Sequence, residues 1–194
     1  MLAGIRTSSI ATLLLLLGFI APVWAQSSSN GPVVFGQASV VKLWDDEGSI
    51  GTGVGAGGGV SVPLSASWNL RGRVVRSRNE RDFGNGVVFD NTSTRYTAEL
   101  LWKPTTSPYA PYIGAGLGGF SFEHHSEFGQ DPLHPTQTPV QRFTSSGNDL
   151  IYGGIAGVTA VSAGRFRLQP EFSLWLSRGW FIQMEFAVLA GFRW

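Results

Sequence analysis

Glu123, His124, His125, Glu127, Asp131 and His134 crowd into one stretch of this chain. Imidazole beside carboxylate is the chemistry of a divalent-metal site or of a general base. Neither fits the spacing. Metal ligands must be held ready by a regular element, and here they are strewn through a polar stretch with Pro132, Pro135 and Pro139. Acyl transfer needs a nucleophile, a base within hydrogen-bond reach and an oxyanion site. All three histidines belong to this one stretch, and none lies on a strand next to an inward serine. A solvated loop is expected, with no metal, no cofactor and no catalytic residue. The Gly51–Gly59 column is no phosphate loop either, because it alternates within a strand and lacks a Gly-Lys-Ser/Thr ending.

A second set of charges is spaced differently. Arg71, Arg73, Arg95, Glu99, Arg167, Glu171 and Glu185 each stand next to at least one apolar residue. Their chemistry is ion pairing. A strand sends alternate side chains to opposite faces, so each charge shares a face with small or polar residues. The segment from Trp180 to Trp194 shows this most clearly. Trp180, Ile182, Met184, Phe186, Val188, Ala190, Phe192 and Trp194 form one apolar face, and the other carries Gln183, Glu185 and Arg193. Such a strand suits a tilted crossing of a bilayer with aromatics at both interfaces.

Eight such runs follow one another. They lie near 32–44, 50–62, 68–78, 94–103, 111–122, 149–160, 165–176 and 180–194. Trp68 and Leu70, Trp102, Leu168 and Phe172, and Trp180 and Phe186 are the expected lipid-facing residues. The facing of the first and sixth runs is undecided by pattern. Odd connections include an acidic turn at Asp45–Gly48 and two long polar loops, 79–93 and 123–148. Even connections are short and rich in Pro, Gly and Ser, the asymmetry of long outer loops and short inner turns. Phe83, Val87, Val88 and Phe89 in the first long loop are apolar residues for a partner, or for a hairpin that extends the barrel. A soluble lipocalin-like barrel points its apolar faces inward. Here charge opposes the apolar face, so the apolar face belongs outside. The interior is expected to hold charge and glycine rather than an apolar core.

The first 25 residues read as a cleavable signal peptide: a charged start, an apolar run over 10–20, and Val23-Trp24-Ala25 as the cleavage site. Residues 26–31 form a polar lead, and 32–194 the barrel domain. Cysteine is absent, so no disulfide framework holds this exported chain. Charged residues are only 14% and the net charge is +1, which excludes a nucleic-acid binder on electrostatic grounds.

The runs Pro111-Tyr112-Ile113-Gly114-Ala115-Gly116-Leu117-Gly118, Gly153–Val158 and Phe166-Arg167-Leu168-Gln169-Pro170-Glu171-Phe172 resemble strands five to seven of the OmpA/OmpX-type outer-membrane β-barrel family. That resemblance implies an all-β, eight-stranded antiparallel transmembrane barrel with up-and-down topology and periplasmic termini. It also implies that Phe192 and Trp194 act as an assembly signal read by the outer-membrane assembly machinery. The expected role is structural or surface-interacting and non-enzymatic, in a Gram-negative-type outer membrane. The expected partners are outer-membrane lipids and lipopolysaccharide, and an extracellular partner met through loops 79–93 and 123–148. A monomer is expected. The alternatives are a narrow porin-like channel and a lipid A-modifying enzyme.

Overall fold

The structure, a computed structural model, describes residues 31–45, 48–82, 87–105, 107, 109–128, 141–179 and 181–194. The expected signal peptide, most of the 26–31 lead, Phe83, His134 and Trp180 lie outside the described residues. Pro32–Trp194 is one compact unit built from strands. They are β1 (Val33–Asp45), β2 (Gly48–Pro63), β3 (Trp68–Asp82), β4 (Val87–Trp102), β5 (Pro111–Phe128), β6 (Gln141–Val158), β7 (Val161–Ala163), β8 (Phe166–Ser177) and β9 (Ile182–Arg193). β7 is a three-residue ladder laid on β8. The other eight form the wall.

Each strand pairs antiparallel with its neighbour, and two further pairings close the cylinder. β1 meets β9 from Val33↔Arg193 to Trp44↔Ile182. β6 meets β8 from Ile151↔Ser177 to Gly157↔Glu171. Over the length where the cylinder closes, no strand edge is left open, which is what a strand needs inside hydrocarbon. The period-two pattern then sorts side chains. Val34, Val54, Val74, Tyr96, Leu117, Tyr152 and Phe186 lie outward and exposed, each on a different strand. An apolar surface of that extent is a membrane belt rather than a water-facing one. Trp68, Leu70, Trp102, Leu168, Phe172 and Phe186 all fall on this outward face. Phe172 and Phe186 are direct cross-strand partners with ring centroids 4.8 Å apart.

Three expectations change. The stretches 79–93 and 123–148 are not simple loops: β3 and β4 stay paired to Asp82↔Val88, and β5 and β6 to Phe128↔Gln141. Ladder hydrogen bonds between two limbs need no apolar face, so polar Ser, Thr and Asn continue as strand above the belt. Second, the lumen does contain an apolar cluster. Leu43, Ile50, Leu101, Tyr112, Phe120, Ile151, Ile155 and Trp175 pack there, with Phe122 and Phe181 against them. Third, the facing of β1 and β6 is now decided. Phe35, Gln37, Ser39 and Val41 of β1, and Ile151 and Ile155 of β6, point inward.

A bulge adjusts the β1–β2 hairpin. The register jumps between Leu43↔Gly51 and Trp44↔Ser49, leaving Ile50 as the extra residue. Gly51 takes a φ of 133°, and a Cβ there would sit 2.5 Å from the Glu80 carbonyl oxygen. Only glycine allows both Ile50 and Gly51 to face inward.

The outward face makes one expectation quantitative. Phe186 is 64% exposed in mid-strand, so Phe186→Arg should cost about 2–4 kcal/mol in refolding titrations into lipid vesicles. An unchanged stability would remove that face from the bilayer.

Candidate functional site: a charge network across the lumen

Charges from four strands meet at mid-lumen. β3 supplies Arg71 and Arg73, β4 Arg95 and Glu99, β8 Glu171, and β9 Glu185; all six are buried. Arg71 and Glu99 are cross-strand partners in the ladder, and Arg71 Nε donates to Glu99. Arg71 Nη1 lies 2.7 Å from Glu171 Oε2. Arg73 Nε donates to Glu99 Oε1 at 2.9 Å, and its Nη1 to Glu171 Oε1 at 2.6 Å. Arg95 donates to Glu185. Arg71 and Arg73 thus each bridge two carboxylates. The bidentate geometry occurs outside, where Arg78 grips Asp90 with bonds of 3.1 and 2.6 Å.

Neutral groups tie the two halves together. Gln37 donates to Glu185 Oε1 at 2.7 Å and accepts from Arg73 Nη1 at 3.2 Å. Thr97 Oγ1 donates to Glu99 at 2.7 Å, and the Tyr112 hydroxyl to Glu171 at 2.9 Å. Ser173 Oγ donates to Glu185 at 3.2 Å and accepts from Trp175 Nε1 at 2.9 Å. The Trp175 ring lies under the Arg95 guanidinium, 4.7 Å from its centroid. Gln37, Thr97, Tyr112, Ser173 and Trp175 carry no charge, so alternation of charge along the sequence does not single them out. Trp175 was within reach of that pattern, because it continues the inward series Glu171, Ser173.

Glycine makes the space. Trp175 lies opposite Gly153, Tyr112 opposite Gly157 and Glu99 opposite Gly116. A Cβ on Gly116 would fall 2.8 Å from Glu99 Cγ and 3.0 Å from Trp175 Cη2. Large on one strand is therefore matched by nothing on the next.

Arg167, expected in this network, is half-buried on the inward face of β8 toward the termini end, and it forms no ion pair with a described residue. The histidines also separate. His124 and His125 sit on β5, where His124 Nε2 pairs with Ser126 Oγ at 2.8 Å and His125 Nδ1 with Thr144 Oγ1 at 2.9 Å. Among the described residues no cluster of His, Asp and Glu has metal-binding geometry. An open cleft of about 330 Å³ lies beside His125, lined also by Arg78, Asp90, Arg142 and Phe143.

A model described as the outer membrane protein beta-barrel domain matches residues 11–174. The chain belongs to that family. Solved outer-membrane barrels share its shape. Neisserial surface protein A aligns with a TM-score of 0.62 at 15% identity, covering 87% of this chain and 100% of its own. Ail, the attachment invasion locus protein of Yersinia pestis, aligns at 0.60 and 12% identity, covering 85% and 99%. Ail has also been solved in complex with the heparin analogue sucrose octasulfate. No curated protein sequence matches. At these identities the likeness speaks for the barrel fold, and for this outer-membrane barrel the lumen chemistry must be read from its own residues.

Two measurements follow from the lumen and its rim. Removing one partner from a buried pair costs about 3–5 kcal/mol, because the remaining charge keeps its desolvation penalty. Glu171→Gln strands charge on Arg71 and Arg73, so its thermal unfolding midpoint in detergent micelles should fall well below wild type. An unchanged midpoint would take Glu171 out of the network. Lys103 follows the end of β4, and burial, reinforced by Arg167 and Arg71, pushes its ammonium down to about 8. Between about 8 and the ordinary 10.5 the unfolded chain holds a proton that the folded chain has released. Stability should therefore rise with pH through that window. Lys103→Gln should flatten the rise in melts between those limits.

Proposed function

We propose that this outer-membrane barrel is a non-enzymatic scaffold with a closed lumen that holds its β3–β4 and β5–β6 hairpins outside the cell as an interaction surface. The observation that carries the closed lumen is the charge network. Three arginines and three glutamates are buried across a narrow cylinder whose other walls carry Trp175, Tyr112 and Ile155. A solute would have to break ion pairs that cost several kcal/mol to separate.

The hairpins support the surface role. β5 and β6 each run for 18 residues, and β3 and β4 for 15 and 16. Beyond the apolar belt their outward residues turn polar, with Arg76, Arg78 and Glu80 on β3 and Glu123 and His125 on β5. Binding residues collect on such projections from a rigid scaffold. The cleft beside the Arg78–Asp90 pair is one concave feature of this surface. The complex of Ail with a heparin analogue supports a ligand-binding reading for a barrel of this shape. The short turns and both ends of Pro32–Trp194 occupy the opposite end, which is assigned to the periplasm. The partners that fit are membrane lipids, lipopolysaccharide at the polar outward rows, and the assembly machinery, with the barrel acting as a monomer.

The narrow-channel reading keeps one observation in its favour. Arg95 Nε and Nη1, Asn79 Oδ1, Asn91 and Gln183 Oε1 are buried polar atoms with no hydrogen-bond partner among the described residues. Buried polar groups of this kind take water as a partner. Planar-bilayer recordings of the purified chain separate the two readings. Small, sporadic openings are expected, and stable large steps would promote the channel. For the surface role, trimming both hairpins back to the belt should leave a folded barrel that no longer binds immobilised heparin-like polyanions. Retained binding by the trimmed barrel would overturn the assignment.

A further inference from the structure

The cleft of about 330 Å³ beside the Arg78–Asp90 pair is built by β3, β4, β5 and β6. That volume is at the lower end of what holds a small organic ligand, about 300–1,000 Å³. Glu80, Asp90, His125 and Thr144 cross it as one ladder row, each the Cα partner of the next. Charge along the described lining is balanced, Arg78 and Arg142 against Glu80 and Asp90. Arg78 is taken up by Asp90, with bonds of 3.1 and 2.6 Å, and Arg142 is engaged within the protein as well. His125 Nε2 has the Glu123 carboxylate 3.3 Å away. A polyanion would meet two carboxylates here and a polycation two guanidiniums, so net charge selects neither.

What the walls offer is hydrogen bonding in both directions. The Arg78 fork uses Nε and Nη2, so Nη1 lies outside it, beside carboxylate oxygens that can each accept again. Thr144 Oγ1 and His125 Nδ1 are held together at 2.9 Å, which fixes a hydroxyl and a ring at the other side. Phe143 lines the same cleft and is 57% exposed, an apolar ring among polar groups. Height narrows the choice further. The topmost large outward apolar residues are Val74, Tyr96, Leu117 and Leu150, one on each strand. Glu80, Asp90 and Thr144 stand six residues beyond theirs and His125 eight. Six residues span roughly 20 Å of strand, or about 15 Å of height at a tilt near 40°. The headgroup layer is only about 5–8 Å deep on each side of the hydrocarbon. Lipid phosphates therefore lie below the cleft.

We propose that this cleft is a binding site for an uncharged carbohydrate, gripped by the Arg78–Asp90 pair and Thr144 and stacked on Phe143. A sugar ring has a rim of hydroxyls, each of which donates and accepts at once, and an apolar face of C–H bonds. The first suits a guanidinium beside a carboxylate, and the second suits an exposed aromatic ring. Fixed polar groups of this kind reject an analogue without the matching hydroxyl, because they are then left unpaired. The proposal rests on the surface role given to the hairpins above and names a ligand for this one cleft.

Binding of the mature chain in phosphatidylcholine nanodiscs, which carry no sugar, tests the site. The probes are neutral oligosaccharides ending in glucose, galactose, mannose or N-acetylglucosamine, the dephosphorylated core oligosaccharide of lipopolysaccharide, and a heparin fragment as the charged comparison. Saturable binding of at least one neutral probe is expected, equal at low and high salt because an uncharged ligand has nothing to screen. Asp90→Asn should weaken it between about tenfold and a hundredfold, the scale of a hydrogen bond to a charged group. Phe143→Ala should weaken it several-fold, and Arg165→Gln, at the opposite end of the barrel, should leave it unchanged. Circular dichroism verifies that each variant folds. Should Asp90→Asn fail to fold, Phe143→Ala and the salt dependence of wild type still decide the matter. Core oligosaccharide as the binder supports a sugar of the same outer leaflet, and a terminal hexose supports a glycan from outside. Absence of saturable binding by every neutral probe, binding that salt abolishes, or wild-type affinity in both variants overturns the proposal. Heparin binding that persists in that case leaves the surface role of the hairpins standing, and its loss on trimming them tests that role separately.

Discussion

The β6–β8 ladder, seven residue pairs from Ile151↔Ser177 to Gly157↔Glu171, is the contact on which the rest of the molecule depends. Without it the sheet would end in two open edges, and each unpaired amide or carbonyl in hydrocarbon costs several kcal/mol. With it the wall becomes a cylinder of eight strands, narrow enough that opposite strands touch side chain to side chain. Everything in the lumen follows from that narrowness. Arg73 on β3 reaches Glu171 on β8 and shares Gln37 of β1 with Glu185 of β9.

A small cylinder must also be filled. Charge alone would leave gaps, and apolar residues alone would leave the wall's arginines without partners. The solution divides the lumen. Tyr112, Ile155, Trp175, Ile151 and Phe120 pack along the β5, β6 and β8 side, while the ion pairs hang from β3, β4, β8 and β9. Trp175 belongs to both, through its ring under Arg95 and its indole bond to Ser173. Glycines on β2, β5 and β6 set the distances at which these residues meet. In a chain without disulfides, this mixture of pairs and packed rings is the internal cross-link.

The two ends of the barrel are chemically unlike. At the hairpin end charges of both signs alternate, with Arg78 beside Asp90 and His125 3.3 Å from Glu123. A mixed surface of that kind favours selective contact with a partner over simple attraction. At the termini end the charged side chains of the described wall are Lys103, Arg165, Arg167 and Arg193. The neutral network between them separates the two fields.

Fold class was legible in the residues, because alternation has a period of two and most of the apolar runs show it: Phe186 outward and Glu185 inward needs no structure to state. The inward identity of Arg71, Arg73, Arg95, Glu99, Glu171 and Glu185 followed from the same rule. Their partners did not. Which arginine faces which glutamate depends on the register of each ladder and on how strands lie across the lumen, and both are properties of closure. Arg167 shows the limit, since parity puts it inside but its height along β8 puts it below the network. The hairpins show another: the strand character of 79–82 and 141–148 comes from pairing with a partner limb, which no local periodicity records. Local patterning thus determined which face each side chain takes, and only the closed tertiary structure decided at what depth and against which neighbour it stands.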